Sequence, residues 1–218
     1  MKRTKSRLKK ALLTYYPRVF EVLEAGDTQS LTLLSSQVCH DGHLAPYAYD
    51  ESKYPALPSG DPIGKTGLAR LEGFLDSNDK AAYIRDASSE GDAGLVWFLY
   101  GALWQAGEVK RLRYLLAGVR DYVDGGEYRE DGAVKAWYAL GRHMASGGRE
   151  PMVNKQVTRA HKVYRAGYDL SASKLKSPDH EDHLLYHRWM KERGLDPREL
   201  HLAHKALFTL GKATGALL

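Results

Sequence analysis

"VKRLRYLLAGVRDYVD", residues 109–124, carries the clearest structural signal in the chain. Leu112, Leu115, Leu116, Val119 and Val123 recur at spacings of three and four, while Arg111, Arg113 and Arg120 fall on the opposite side. That is the 3.6-residue period of an amphipathic helix with one face in a core and one in water. The segment before it, "GLVWFLYGALW" at 94–104, is apolar on every face and reads as a buried central helix. It falls well short of the ~20 apolar residues that a membrane span requires.

Working outward, helices are expected near 67–76, 79–88, 92–106, 109–124, 130–146, 150–168, 178–193 and 197–210. A first helical region covers 5–25, with Leu8, Leu12 and Tyr16 on one stripe, a kink or division at Pro17 and a stop at Gly26. Asp27–Cys39 fits a helix or a strand equally, because its serines and threonines compete for the backbone. Residues 40–65 read as a long Pro/Tyr-rich loop. The fold class is therefore all-α, with roughly eight or nine helices arranged as stacked helical hairpins. A basic amino-terminal helical arm (1–26) and an ambiguous segment with the long loop (27–65) precede a helical domain (66–218) that ends in an αα-hairpin (177–211). Together they are expected to form one compact domain.

Two segments repeat. "AGLVWFLYGALWQAG" from Ala93 aligns with "AVKAWYALGRHMASG" from Ala133, matching Trp97 with Trp137, Gly101 with Gly141 and Gly107 with Gly147. Within the second, "AWYALGRHM" resembles the first helix of a tetratricopeptide repeat, in which Trp and Leu-Gly let two helices pack closely. The resemblance implies stacked helix pairs. The 40-residue offset between Ala93 and Ala133 is longer than that family's period of about 34.

Charge gives the best pointer to a partner. The chain carries a net charge of +5, and Met1–Phe20 holds seven basic residues (Lys2, Arg3, Lys5, Arg7, Lys9, Lys10 and Arg18) with no acid. A second stretch, 155–176, sets Lys155, Arg159, Lys162, Arg165, Lys174 and Lys176 against Asp169 alone. Two such segments suit contact with a phosphate backbone. One cysteine rules out an intrachain disulfide, and "ALLTYYPRVF" after the basic start is too short and interrupted to export or span, so no membrane association and a cytoplasmic setting are expected.

"LYHRWMKERGLDPRELHLAHKAL", residues 185–207, has the outline of a DNA-reading helix-turn-helix, in which Arg198 and Lys205, with His201, would face the nucleic acid. His180, His183, His187, His201 and His204 lie in the same region and are weak zinc-ligand candidates; no cofactor is otherwise expected. Cys39, His40 and His43 lack the second ligand pair that a structural zinc needs. "GDPIGKT" at 60–66 has three residues between its glycines where a phosphate-binding loop needs four, and reads instead as a helix start capped by Thr66. Tyr47, Tyr49 and Tyr54 stand in the long loop as candidate anchors for a protein partner. No catalytic dyad emerges. The leading expectation is a non-catalytic helical protein associated with nucleic acid. An adaptor or inhibitor that binds a protein partner through a helical groove and the loop comes second, and a zinc-dependent enzyme third.

Overall fold

A computed structural model describes residues 2–50, 62–76, 106–129, 135–171 and 177–217. The described residues are all-helical, with eight α-helices and no strand. None of the described helices is long and apolar enough to cross a membrane. The chain groups into two compact units. Met1–Ala56 and Val153–Leu218 form one, and Leu57–Met152 forms the other.

The first unit contains α1 (Lys2–Ala25), α2 (Thr28–His40), a 3-10 turn at Ala45–Tyr47, α6 (Lys155–Arg165), α7 (His180–Lys191) and α8 (Pro197–Gly215). α1 runs unbroken through Pro17, without the division that proline suggests. Leu8, Leu12, Tyr16, Val19, Phe20 and Leu23 are all buried along one side of it, and this packing on both flanks of Pro17 outweighs a local penalty of ~3 kcal/mol. Gly26, at a φ of 65°, ends the helix, and Asp27 caps the next by accepting a hydrogen bond from Ser30 N at 3.0 Å.

The 27–39 segment resolves as helix. Leu31, Leu34 and Val38 form its buried stripe, and its hydroxyls are satisfied without disturbing the backbone. Thr32 Oγ1 donates back to Thr28 O at 3.1 Å, and Ser35 Oγ donates to Leu202 O at 3.0 Å.

α8 is the central helix of this unit, packed against α6, α2 and α1. A methyl at Gly211 would lie 1.9 Å from Gln156 O, so glycine is what lets α6 approach. Capping boxes start α7 (Asp179 with Asp182) and α8 (Asp196 with Glu199, and Pro197 in the first turn). The α7 cap is thus Asp179, two residues past the expected start at Ser177. α7 follows the expected hairpin order, but its packing neighbour is α6.

The second unit contains α3 (Lys65–Asp76), α4 (Val109–Val123) and α5 (Lys135–Ala145). α3 begins at Lys65, which places Thr66 inside its first turn instead of at its cap. Leu112, Leu115, Leu116 and Val119 are buried as their spacing predicts, with Leu68, Leu71 and Met144 in the same cluster. α4 and α5 cross at two glycines. A methyl on Gly118 would lie 2.1 Å from Tyr138 O, and one on Gly141 would lie 2.0 Å from Leu115 O. The glycine of the "AWYALGRHM" segment therefore serves the close helix contact that its resemblance implies. The expected helices at 79–88 and 92–106, and with them the first copy of the repeat, fall almost entirely outside the described residues.

Candidate functional site

The two basic stretches have different fates. On α1, Lys5, Arg7, Lys9 and Lys10 are exposed, and none has a carboxylate in ion-pair range among the described residues. Lys5 Nζ donates to the carbonyl of Leu217 at 3.3 Å. The first turn of α1 contains no acid and includes Lys5, a cation at the end of a helix whose macrodipole favours anions, and Arg7, Lys9 and Lys10 follow it closely. The same stretch of α1 is packed into the fold through Leu8, Ala11 and Leu12, which are buried. The side chains of Lys2 and Arg3 lie outside the described set.

The second stretch does not form a free cationic face. Lys155 is exposed at the start of α6. Arg159 is buried, with Nη1 donating to Gln156 Oε1 at 2.9 Å and Gly211 O at 3.1 Å. Burial lowers its guanidinium pKa from the usual value, an effect that nearby Tyr16 partly opposes. Room for this guanidinium comes from Gly215, where a methyl would lie 2.4 Å from Nη1. Lys162 and Arg165 both reach Asp182, at 2.5 and 3.3 Å. Arg159 is therefore withdrawn from any surface, and the charges of Lys162 and Arg165 are shared with a carboxylate. Arg198 is exposed on α8, while Lys205 is half-buried.

The expected groove-reading face of α8 is partly covered by Tyr49, with Arg198 exposed and His201 and Lys205 half-buried. His201, His204 and Phe208 meet Tyr49 edge to face, with ring centroids 5.7, 5.4 and 5.4 Å away. Tyr49 N donates to Thr209 Oγ1 at 3.1 Å, which fixes the chain over the helix. Tyr49 is thus an internal anchor. Tyr47 is half-buried in the 3-10 turn, and Tyr54 lies outside the described residues. The histidines do not converge either. His183 pairs with Thr158 Oγ1 at 3.0 Å, His187 is buried, and His180 is exposed. Among the described residues no group of three or more His, Cys, Asp or Glu side chains is placed to hold a metal. Cys39 Sγ lies 3.6 Å from Thr209 Oγ1, and His40 Nδ1 lies 2.8 Å from Ser36 O.

One constellation escaped the sequence reading. Glu24, at the carboxy-terminal end of α1, accepts hydrogen bonds from Tyr164 Oη and Trp189 Nε1 on Oε1, each at 2.9 Å, and from Arg193 Nη1 on Oε2 at 2.5 Å. Desolvation raises its carboxyl pKa, but these donors and the Arg193 charge outweigh it and hold the group below the usual range. Beneath Glu24, the Phe20 and Tyr164 rings stack at 4.3 Å, and Trp189 lies 5.3 Å from Phe20. His161 is enclosed by Tyr164, Tyr186 and Trp189, and burial with the nearby Arg165 charge lowers its pKa to about 4. A signal for this cluster was present as spacing. His161, Tyr164 and Tyr168 repeat the i, i+3, i+7 pattern of Tyr186, Trp189 and Arg193.

The second unit holds a comparable closed node. Arg142 and Glu150 are both buried, 3.6 Å apart, with the guanidinium over Tyr122 and Tyr128 at 5.8 and 6.0 Å. It also donates to Gly126 O at 2.9 Å, tying the segment after α4 to α5. Asp121 accepts from Arg129 at 2.9 Å and from Tyr138 Oη at 2.7 Å. Both clusters tie together helices of their own unit. No protein family, curated protein or solved structure matches the chain.

Proposed function

We propose that this is a non-catalytic helical binding protein that associates with nucleic acid through the amino-terminal half of α1. The observation that carries the reading is the set of exposed cations Lys5, Arg7, Lys9 and Lys10, without carboxylate partners among the described residues, on a stretch of helix that is packed into the fold. Neutralising phosphates would relieve the repulsion these charges exert on one another and on the helix dipole, and the released counterions would drive association. Lys155 and Arg198 remain as further exposed cations, whereas Arg159, Lys162 and Arg165 serve the fold. A setting in the cytoplasm, with Cys39 reduced, fits this role.

The test is fluorescence anisotropy with labelled DNA and RNA at low salt, comparing the full chain with K5Q/R7Q/K9Q/K10Q. The expected result is binding by the full chain and a loss of at least tenfold in the variant, with unchanged helical circular dichroism. No binding by the full chain at low salt would remove the proposal.

A further inference from the structure

We infer that an unpaired nucleic-acid strand lies along one edge of α1, with phosphates on Arg7 and Lys10 and a base stacked on the guanidinium of Arg18. This rests on the reading of α1 as a nucleic-acid contact and goes on to name the residues that make it and the form of the partner.

Helix geometry divides the cations of α1 into two groups. At about 100° per residue, Arg7, Lys10 and Arg18 fall within an arc of roughly 80°, with Thr14 between them. All four are exposed, and the arc lies opposite the buried stripe of Leu8, Leu12, Tyr16 and Val19. Lys5 and Lys9 lie roughly 160–200° from Arg7, on the packed side of the helix. There Lys5 Nζ reaches the carbonyl of Leu217, just past the end of α8, and a helix carboxy-terminus is itself a partner for cations. Arg7 and Lys10 have no such internal partner among the described residues.

Arg18 is positioned before any partner arrives. Its guanidinium carbon lies 5.7 Å over the centroid of the Tyr15 ring, and Nη2 donates to Gln37 Oε1 on α2 at 3.2 Å. Both of these partners are neutral, so the side chain is held while its charge is kept. Tyr15 is half-buried and Arg18 exposed, which makes the guanidinium the outer layer of the pair. A guanidinium plane is a platform for an unstacked base. The bases of a duplex are already stacked on one another, so to a duplex Arg18 offers only its charge.

Acids bound the edge. Glu21, exposed, stands one turn beyond Arg18 on the same arc, and Asp41 reaches the Tyr15 hydroxyl. Both repel phosphate, which confines the strand to the stretch from Arg7 to Arg18, about 16.5 Å of helix axis and room for a few nucleotides. Three cations on that stretch set a salt slope near −2.1 for a single strand.

The experiment measures anisotropy of the full chain with labelled DNA and RNA strands of mixed sequence, about 12 nucleotides long, and with the corresponding DNA duplex, between about 50 and 200 mM salt. The better-bound strand is expected to bind at least as tightly as the duplex, with a slope near −2.1. R7Q/K10Q/R18Q should weaken it by at least about tenfold, and K5Q/K9Q by less than about threefold, with unchanged helical circular dichroism in both. R18K keeps the charge and removes the plane, so it should weaken strand binding by about fivefold and duplex binding by less than about twofold. A loss in K5Q/K9Q equal to that in the triple variant, a duplex bound more tightly than either strand, or an R18K variant that binds the strand like the parent would overturn this inference while leaving α1 as a nucleic-acid contact. Binding to none of the probes at the lowest salt would overturn the α1 reading itself.

Discussion

The two ends of α1 carry charge of the wrong sign for their positions, and the protein treats them differently. Cations crowd the amino-terminal end, and Glu21 and Glu24 sit near the carboxy-terminal end, so both oppose the macrodipole. At the far end Glu21 is exposed, but the cost at Glu24 is met inside the fold, where it takes three hydrogen bonds from Tyr164, Trp189 and Arg193. At the near end Arg7, Lys9 and Lys10 face solvent. A charge that the fold compensates is part of its architecture. Charges left uncompensated on an equally rigid turn are available to something outside it, and that contrast is the basis of the functional proposal.

The contrast can be broken at several points. The largest effect is expected at the carboxy-terminal end, where Phe20→Ala removes the ring between Tyr164 and Trp189 and should cost about 3–5 kcal/mol, lowering the melting temperature of the chain by roughly 10 °C in a circular dichroism melt. A loss below about 1 kcal/mol would mean that the aromatic cluster is not what holds α1.

Acidification should act next. The pKa of His161 is depressed in the fold to about 4 from an ordinary value near 6.5. The unfolded chain therefore binds the proton more readily, and stability is full above pH ~6.5 and lost as the pH falls towards about 4, by about 3 kcal/mol in all. Urea titrations at several pH values should show this slope, and His161→Phe should flatten it. Glu24, also depressed, adds a further loss only at lower pH, as its folded carboxylate becomes protonated. An unchanged slope in the His161 variant would assign the acid sensitivity elsewhere.

Glu24→Ala should cost about 1–2 kcal/mol, modest because the carboxylate is partly exposed and screened. The smallest effect belongs to the near end. K5Q/R7Q/K9Q/K10Q should leave stability within about 0.5 kcal/mol of the parent, or raise it slightly, while abolishing nucleic-acid binding. If the quadruple variant lost more stability than Glu24→Ala, the amino-terminal charges would be structural after all and the comparison would collapse.

Local features of the fold were legible in the sequence, because periodicity and caps act over a few residues. The leucine spacing of α4, the Asp196-Pro197-Glu199 start of α8 and the stops at Gly26 and Gly194 are all present. Long-range pairings were not legible. Lys155, Arg159 and Lys162 belong to the basic stretch 155–176, but the face of α6 that carries Arg159 turns towards glycines of α8, and the acid that takes Lys162 comes from the capping box of α7. The same holds for Glu24, whose donors lie 140 residues or more away along the chain. The 27–39 segment was undecided for a related reason: its serines and threonines disfavour helix only until the helix finds Leu202 O and its buried leucines find α8.

The division of the first unit into residues 1–56 and 153–218 sets an order on biosynthesis. α1 and α2 leave the ribosome before the helices that bury Tyr16 and Phe20, and the whole of the second unit is made in between. At typical elongation rates of about 5–20 residues per second, this apolar stripe waits roughly ten to thirty seconds for α6 and α8. The inserted unit can complete its own core during that wait. The first helical hairpin therefore keeps that apolar stripe exposed until its partners arrive.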